Sequence, residues 1–353
     1  MKKYAFLFFM LSFCSISNAY SETKEDYEKV YTIVQNEYVE NISLERFIAA
    51  GVKSLMNVDK NLKVEQGYDD FTFIFANGKR GVFRKPRDKK SPAGWAESIT
   101  RMVDNVVRIS PDLGLRDYEI FDIMNKASFA TLDEFSRYFP SLEDEDENVV
   151  VKKYFAARMI DDVLYIKIKT FNKLTFYKMK QTLDDNISAK GLILDLRGNR
   201  GGMFSEALKA ADLFLDEGSL IVSTKRRKDE AMQTYIAKEP DMFEDKPIVI
   251  LVDGDTASSA EMLTAALKDQ SRATVLGTKT FGKGSVQNLH IISEDKGFAL
   301  THAYFYSPQE KQVHKQGIVP DICVNKEEKC KPESRETIQT DIDDAITHIK
   351  QYL

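Results

Sequence analysis

Histidine is nearly absent, with four in the whole chain, at positions 290, 302, 314 and 348. None stands in a G-x-S-x-G pattern, so a histidine-based serine triad has no support, and each reads as a structural or surface residue. Cysteine is scarcer still: Cys14 falls in the N-terminal apolar segment, which leaves Cys323 and Cys330 in DICVNKEEKC. With no histidine or further cysteine at ligand spacing, a zinc site is not supported, and the pair reads as a short-loop disulfide or as two free thiols. No metal and no organic cofactor is expected. A surplus of positive charge is also missing, since the formal net charge is -5; nothing supplies the broad cationic field that nucleic acid requires. Beyond the N-terminus no run of about 18 apolar residues occurs, so no later membrane span is expected.

What is present begins with MKKYAFLFFMLSFCSISNA, two lysines, an apolar core and small residues at Ser17 and Ala19. This is the pattern of a secretory signal cleaved after Ala19, which predicts export to the periplasm. Over the full sequence, a hydrophobic fraction of 43% and 30% charged residues describe a globular protein. Residues 20–142 read as a mostly helical region interrupted by a β-hairpin at Asn77-Gly78. The basic residues around that hairpin, Lys79 to Lys90, read as a solvated face rather than a site for an acidic partner. The run EDEDE predicts an acidic linker over 143–149. Residues 150–330 then alternate strands and helices, with GLILDL and PIVILVD apolar on both faces, as in an α/β core whose sheet is covered on both sides. Residues 331–353 read as a helical tail.

Three loops carry chemistry. Ser258 and Ser259 lie between the strand IVILVD and the helix SAEMLTAALKD, a position that suits a nucleophile facing a helix N-terminus and equally suits a helix cap. Lys283 stands between two glycines in TKTFGKGSVQ; it can replace histidine as a base if burial lowers its pKa, and Phe281 and Val286 are the expected apolar wall. Gln287 offers a carbonyl oxygen to orient the amine. LILDLRGNRGG, with Gly201 and Gly202, presents backbone N–H groups as an oxyanion site requires; it contains no P-loop pattern.

LDLRGNRGG, TASSAE, RATVLGTKTFGKGSVQ and HKQGIVPDICV, in that order, resemble the C-terminal processing peptidases, serine proteases with a Ser-Lys active site. The resemblance spans roughly residues 150–325 and implies a ClpP/crotonase-like protease core. It selects Ser258 as nucleophile, with Glu261 following, Lys283 as base and Gln287 as its partner. It also implies an oxyanion hole from the N–H of Ser259 and of Gly201 or Gly202.

Two departures stand out. Family members usually carry a peptide-binding PDZ domain before the core, whereas here TLDEFSRYFP runs almost directly into VVVKKYF, and Arg116 to Lys190 contains no glycine. Arg200 replaces the proline of the family's N-P-G-G pattern, and is either a substrate-binding cation or a tolerated loop residue. The resulting expectation is an exported serine endopeptidase acting on proteins or peptides. Substrate choice would fall to the groove, to the N-terminal region or to an exported adaptor, and the N-terminal helices offer a route to a homo-oligomer. A non-catalytic peptide-binding scaffold and an acyl-CoA enzyme are the alternatives.

Overall fold

A computed structural model describes residues 23–109, 114–141, 154–227, 230–325, 330–336 and 339–353. The signal-like segment and the acidic run 143–147 lie outside the described residues. Among those described, no helix is long and apolar enough to cross a membrane.

The N-terminal region opens with helices α1 (Lys24–Glu37) and α2 (Leu44–Ser54). A three-stranded antiparallel sheet follows, β1 (Lys63–Gln66), β2 (Asp70–Ile74) and β3 (Arg80–Arg84), with the Asn77-Gly78 turn joining the last two. Helices α3 (Pro92–Ile109) and α4 (Asp117–Phe129) pack on α1 and α2. Apolar residues at helical spacing, such as Tyr27, Val30, Tyr31 and Val34, face a common core. Within the basic cluster Lys85 is an exception: it is buried, its ammonium held by Glu45 at 2.8 Å and the Gly67 carbonyl at 2.6 Å. A buried ammonium needs such partners, so this lysine is structural.

Strand β4 (Arg137–Phe139) ends the region, and β5 (Phe155–Ile160) and β6 (Val163–Ile168) form the hairpin that begins the core. Helix α5 (Thr175–Asp185), β7 (Gly191–Asp195) and α6 (Phe204–Asp212) follow, then β8 (Leu220–Lys225), β9 (Gln233–Ile236) and β10 (Ile248–Val252). Helix α7 (Ser259–Asp269) leads to β11 (Thr274–Gly277), β12 (Ser285–Ile291), β13 (Gly297–Tyr306), β14 (Ile322–Cys323) and α8 (Thr340–Ile349).

The main sheet runs β14-β11-β10-β7-β6-β5, parallel except for the edge pair β5 and β6. Every residue of β7 and β10 is buried, because α5, α6 and α7 cover one face and α8 the other. The fold is thus an α/β core preceded by a mostly helical region. Residues 331–353 are integral to it: Ile342, Ala345 and Ile349 pack on Ile193, Val249 and Leu276. Asp341 pairs with Arg197 at 3.1 Å and Arg335 at 2.7 Å. Burial alone would push the Asp195 carboxyl up, but Arg197 and Lys167 beside it hold it below the usual carboxylate range.

A second sheet, β12-β13-β8-β9, takes β4 as a further partner of β13. Phe298 and Leu300 of β13 belong to the same apolar cluster as α1 to α4. The helical region and the protease-like core therefore share a core and a sheet, which local periodicity does not reveal. Cys323 and Cys330 are joined in a disulfide.

Candidate active site

The turn between β10 and α7 is built around Asp253, whose Oδ1 accepts the N–H groups of Gly198, Asp255 and Thr256 at 2.9 to 3.1 Å. That carboxylate ties the turn to the LDLRGNRGG loop; the Ala257 N–H, donated to the Asn199 carbonyl at 2.9 Å, closes the junction. Ser258 follows with φ of 56°, a left-handed conformation that costs a non-glycine residue free energy of order 1–3 kcal/mol. Ser258 stands at the N-cap of α7. Its N–H is held by Glu261 Oε2 at 2.9 Å.

Glu261 is fully buried and gathers donors from two loops. Oε2 also accepts the Lys283 N–H at 2.8 Å, while Oε1 accepts the Gly282 N–H at 2.7 Å and the Thr280 hydroxyl. Burial pushes the Glu261 carboxyl above its ordinary range, and these donors act against that shift. The lysine loop is further fixed by Phe281 N–H to the Thr256 carbonyl at 3.0 Å and Lys315 N–H to the Gly282 carbonyl at 2.8 Å. A Cβ at Gly284 would lie 2.1 Å from the His314 nitrogen, so only glycine lets HKQGIVP pack against this loop.

The side chain of Lys283 is half-buried, and its ammonium lies 4.6 Å from the centre of the Phe135 ring. Phe135, not Phe281, is the apolar wall; Phe281 is 55% exposed. Residues 133–136 form a strap in which Asp133 accepts the N–H groups of Phe135 and Ser136 and the Thr301 hydroxyl. Burial lowers the Lys283 pKa and the Arg137 cation lowers it further, opposed by Asp133, Glu134 and Glu261. A cavity of about 280 Å³ opens beside the strap, lined by Asp133, Phe135, Ser285, Thr301, Tyr304 and His314 among others.

Gly201 abuts the serine: a Cβ there would fall 2.7 Å from Ser258 Cβ and 3.1 Å from the Ser259 nitrogen. Its own N–H donates to Asn199 Oδ1 at 2.8 Å. Among the described residues no acceptor meets the N–H of Gly202 or of Ser259, and the Ser259 hydroxyl donates to the Gly202 carbonyl at 2.9 Å. Gln287 donates its amide to Ser285 at 2.9 Å and Thr301 at 3.1 Å, and no hydrogen bond joins it to Lys283. Arg200 is exposed and pairs with Asp255 at 3.2 Å. Of the histidines, His290 stacks on Phe298 and His348 meets Thr274, whereas His314 lies against Tyr304 and Phe135 at the cavity beside the strap.

Residues 162–324 match the family model described as peptidase family S41. A carboxy-terminal-processing protease of Bartonella bacilliformis is 37% identical over 183 residues, covering 50% of this chain and 42% of that protein. Over this segment the chain is similar to peptidase family S41 and to C-terminal processing proteases. A carboxyl-terminal-processing protease of Synechocystis is 36% identical over 176 residues, covering 48% of this chain and 40% of its own. The chain thus spans less than half the length of these two relatives. Among solved structures, a lipoprotein from Streptococcus agalactiae aligns over 94% of this chain and 98% of its own with a TM-score of 0.56; at 16% identity that likeness concerns the fold alone.

Sequence reasoning missed Phe135, Asp133, Arg137 and the acceptor role of Glu261. For Glu261 the signal was available: a glutamate three residues after a serine that opens a helix is the spacing at which it reaches back to that serine's N–H.

Proposed function

We propose that the chain is an exported serine endopeptidase that cleaves proteins or peptides by a Ser-Lys mechanism. The observation that carries this reading is the convergence of the Ser258 and Lys283 loops on Glu261, beside an N–H pair without acceptors. Ser258 Oγ attacks the scissile carbonyl while the neutral Lys283 amine takes its proton. The tetrahedral oxyanion is received by the N–H groups of Ser259 and Gly202 at the N-terminus of α7, where the helix dipole also favours negative charge. The assignment prefers Gly202 to Gly201, whose N–H is already committed to Asn199. Lys283 then returns the proton to the leaving amine, and water hydrolyses the acyl-enzyme. Gln287 acts on Lys283 indirectly, by holding Ser285 and Thr301 beneath the strap. Arg200 stands at the rim as a cation for substrate. Export follows from the N-terminal segment, and an adaptor or a second copy would dock on the N-terminal helices.

The test is incubation of the purified mature protein with unfolded protein substrates, alone and after a fluorophosphonate reagent, with mass spectrometry of the labelled peptide. Cleavage that is lost on labelling of Ser258 and lost in Ser258→Ala supports the assignment. Cleavage by Ser258→Ala at the wild-type rate would overturn it.

A further inference from the structure

The sheet of β12, β13 and β4 has two unlike faces. The row His290, Phe298, Tyr138 and the pair Asn288 and Leu300 turn one face to the N-terminal core. Opposed residues share a face and neighbours alternate, so the rows Ile291-Gly297-Phe139 and Leu289-Ala299-Arg137 turn the other way. There Leu289 and Ile291 are 59% and 47% exposed, and the Arg137 guanidinium lies 5.0 Å from the Phe139 ring centre. Arg137 has no ion pair among the described residues. A patch of apolar side chains around one unpaired cation marks an interaction surface.

The same face runs into the candidate active site. Its next row is Gln287 and Thr301, and Phe135, two residues before Arg137, lies against the Lys283 ammonium. A base that has taken the serine proton must return it to the amine of the departing fragment. The polypeptide that follows the scissile bond therefore leaves on the Lys283 side, beside the strap from which β4 and this face continue.

We propose that the face formed by Leu289, Ile291, Phe139 and Arg137 receives the segment on the carboxyl side of the scissile bond. The segment is extended and apolar, with alternate side chains on Leu289 and Ile291 and its terminal carboxylate on Arg137. This rests on the reading of Ser258 and Lys283 given above. The chemistry of the surface matches it: strand spacing sets a two-residue repeat, and a guanidinium accommodates a carboxylate through two parallel hydrogen bonds.

The experiment uses the Ser258→Ala protein and fluorescence anisotropy with a labelled peptide that carries a short Val- and Leu-rich end. Amidating that end, or replacing its apolar residues by serine, is expected to weaken binding by roughly tenfold each. In an Arg137→Gln background amidation should no longer matter. In a Leu289→Ser, Ile291→Ser background the serine replacement should no longer matter; Leu289→Ser alone carries the same expectation should the double variant not fold. Equal binding of the three peptides, or preferences that survive in these variants, would overturn the proposal. Binding is read without turnover, so failure of the Ser258 assignment shows separately, as cleavage of the labelled peptide in the Ser258→Ala protein.

Discussion

Ser258 and Lys283 donate their backbone N–H groups to the same atom, Glu261 Oε2, at 2.9 and 2.8 Å. The Ser258 turn and the Lys283 loop are thereby set in one frame, although they lie on different elements. In Glu261→Gln one acceptor oxygen is replaced by an amide that confronts buried donors, and each unsatisfied group costs about 1–3 kcal/mol. Denaturant unfolding should show a loss of about 2 kcal/mol or more. The rate should fall by roughly a hundredfold, since displacement of reacting groups by about 1 Å has that effect. A Glu261→Gln enzyme with wild-type kcat would show that the clamp does not position the site.

The Lys283 amine must be neutral to accept a proton, so activity should rise with pH through its pKa. Burial and Arg137 lower that pKa, which places the rise below the range of a free lysine. Phe135→Ala exposes the ammonium to water and should move the acid limb of the kcat/KM profile to higher pH. Arg137→Gln removes a repelling cation and should move it the same way. An unmoved limb in both variants would detach the titration from Lys283.

Gly201→Ala tests the contact between the LDLRGNRGG loop and the serine. The added methyl falls 2.7 Å from Ser258 Cβ, and φ at this position is +102°. Kinetics should show a fall in kcat of at least about tenfold, with a smaller change in KM, because a transition-state contact is disturbed rather than the substrate groove. A folded variant with unchanged kcat would separate this loop from the chemistry.

Replacing Cys323 and Cys330 together by serine removes the crosslink that closes the segment after β14. The loop-entropy relation assigns a bond of this span about 2.5 kcal/mol. A lower midpoint in guanidinium, matched by wild type in reductant, is the expected outcome. Cleavage should persist, since the bond has no contact with Ser258 or Lys283.

Much of the core was legible because its signals are local. GLILD and IVILV are apolar without alternation, as strands covered on both sides must be, and Asn77-Gly78 names its own turn. The loops that carry Ser258, Lys283 and Gly201 were also visible, as glycine and serine punctuation after strands. Their joint geometry was not, for it depends on contacts between distant parts of the chain. Phe135 displaced Phe281 as the wall of the lysine because β4 pairs with β13, a pairing of three residues that leaves almost no periodic trace. Gln287 was read as reaching for the amine, yet a bulge between Val286 and Gln287 brings its amide to Ser285. A one-residue shift of register redirects a side chain, and no spacing rule foretells it.

The strap that shields Lys283 belongs to the N-terminal region, while the lysine itself lies far later in the chain. Without the strap the Lys283 amine would lose part of the burial that lowers its pKa. Under the proposed mechanism the strap must therefore seat on β13 before Lys283 can serve as a base.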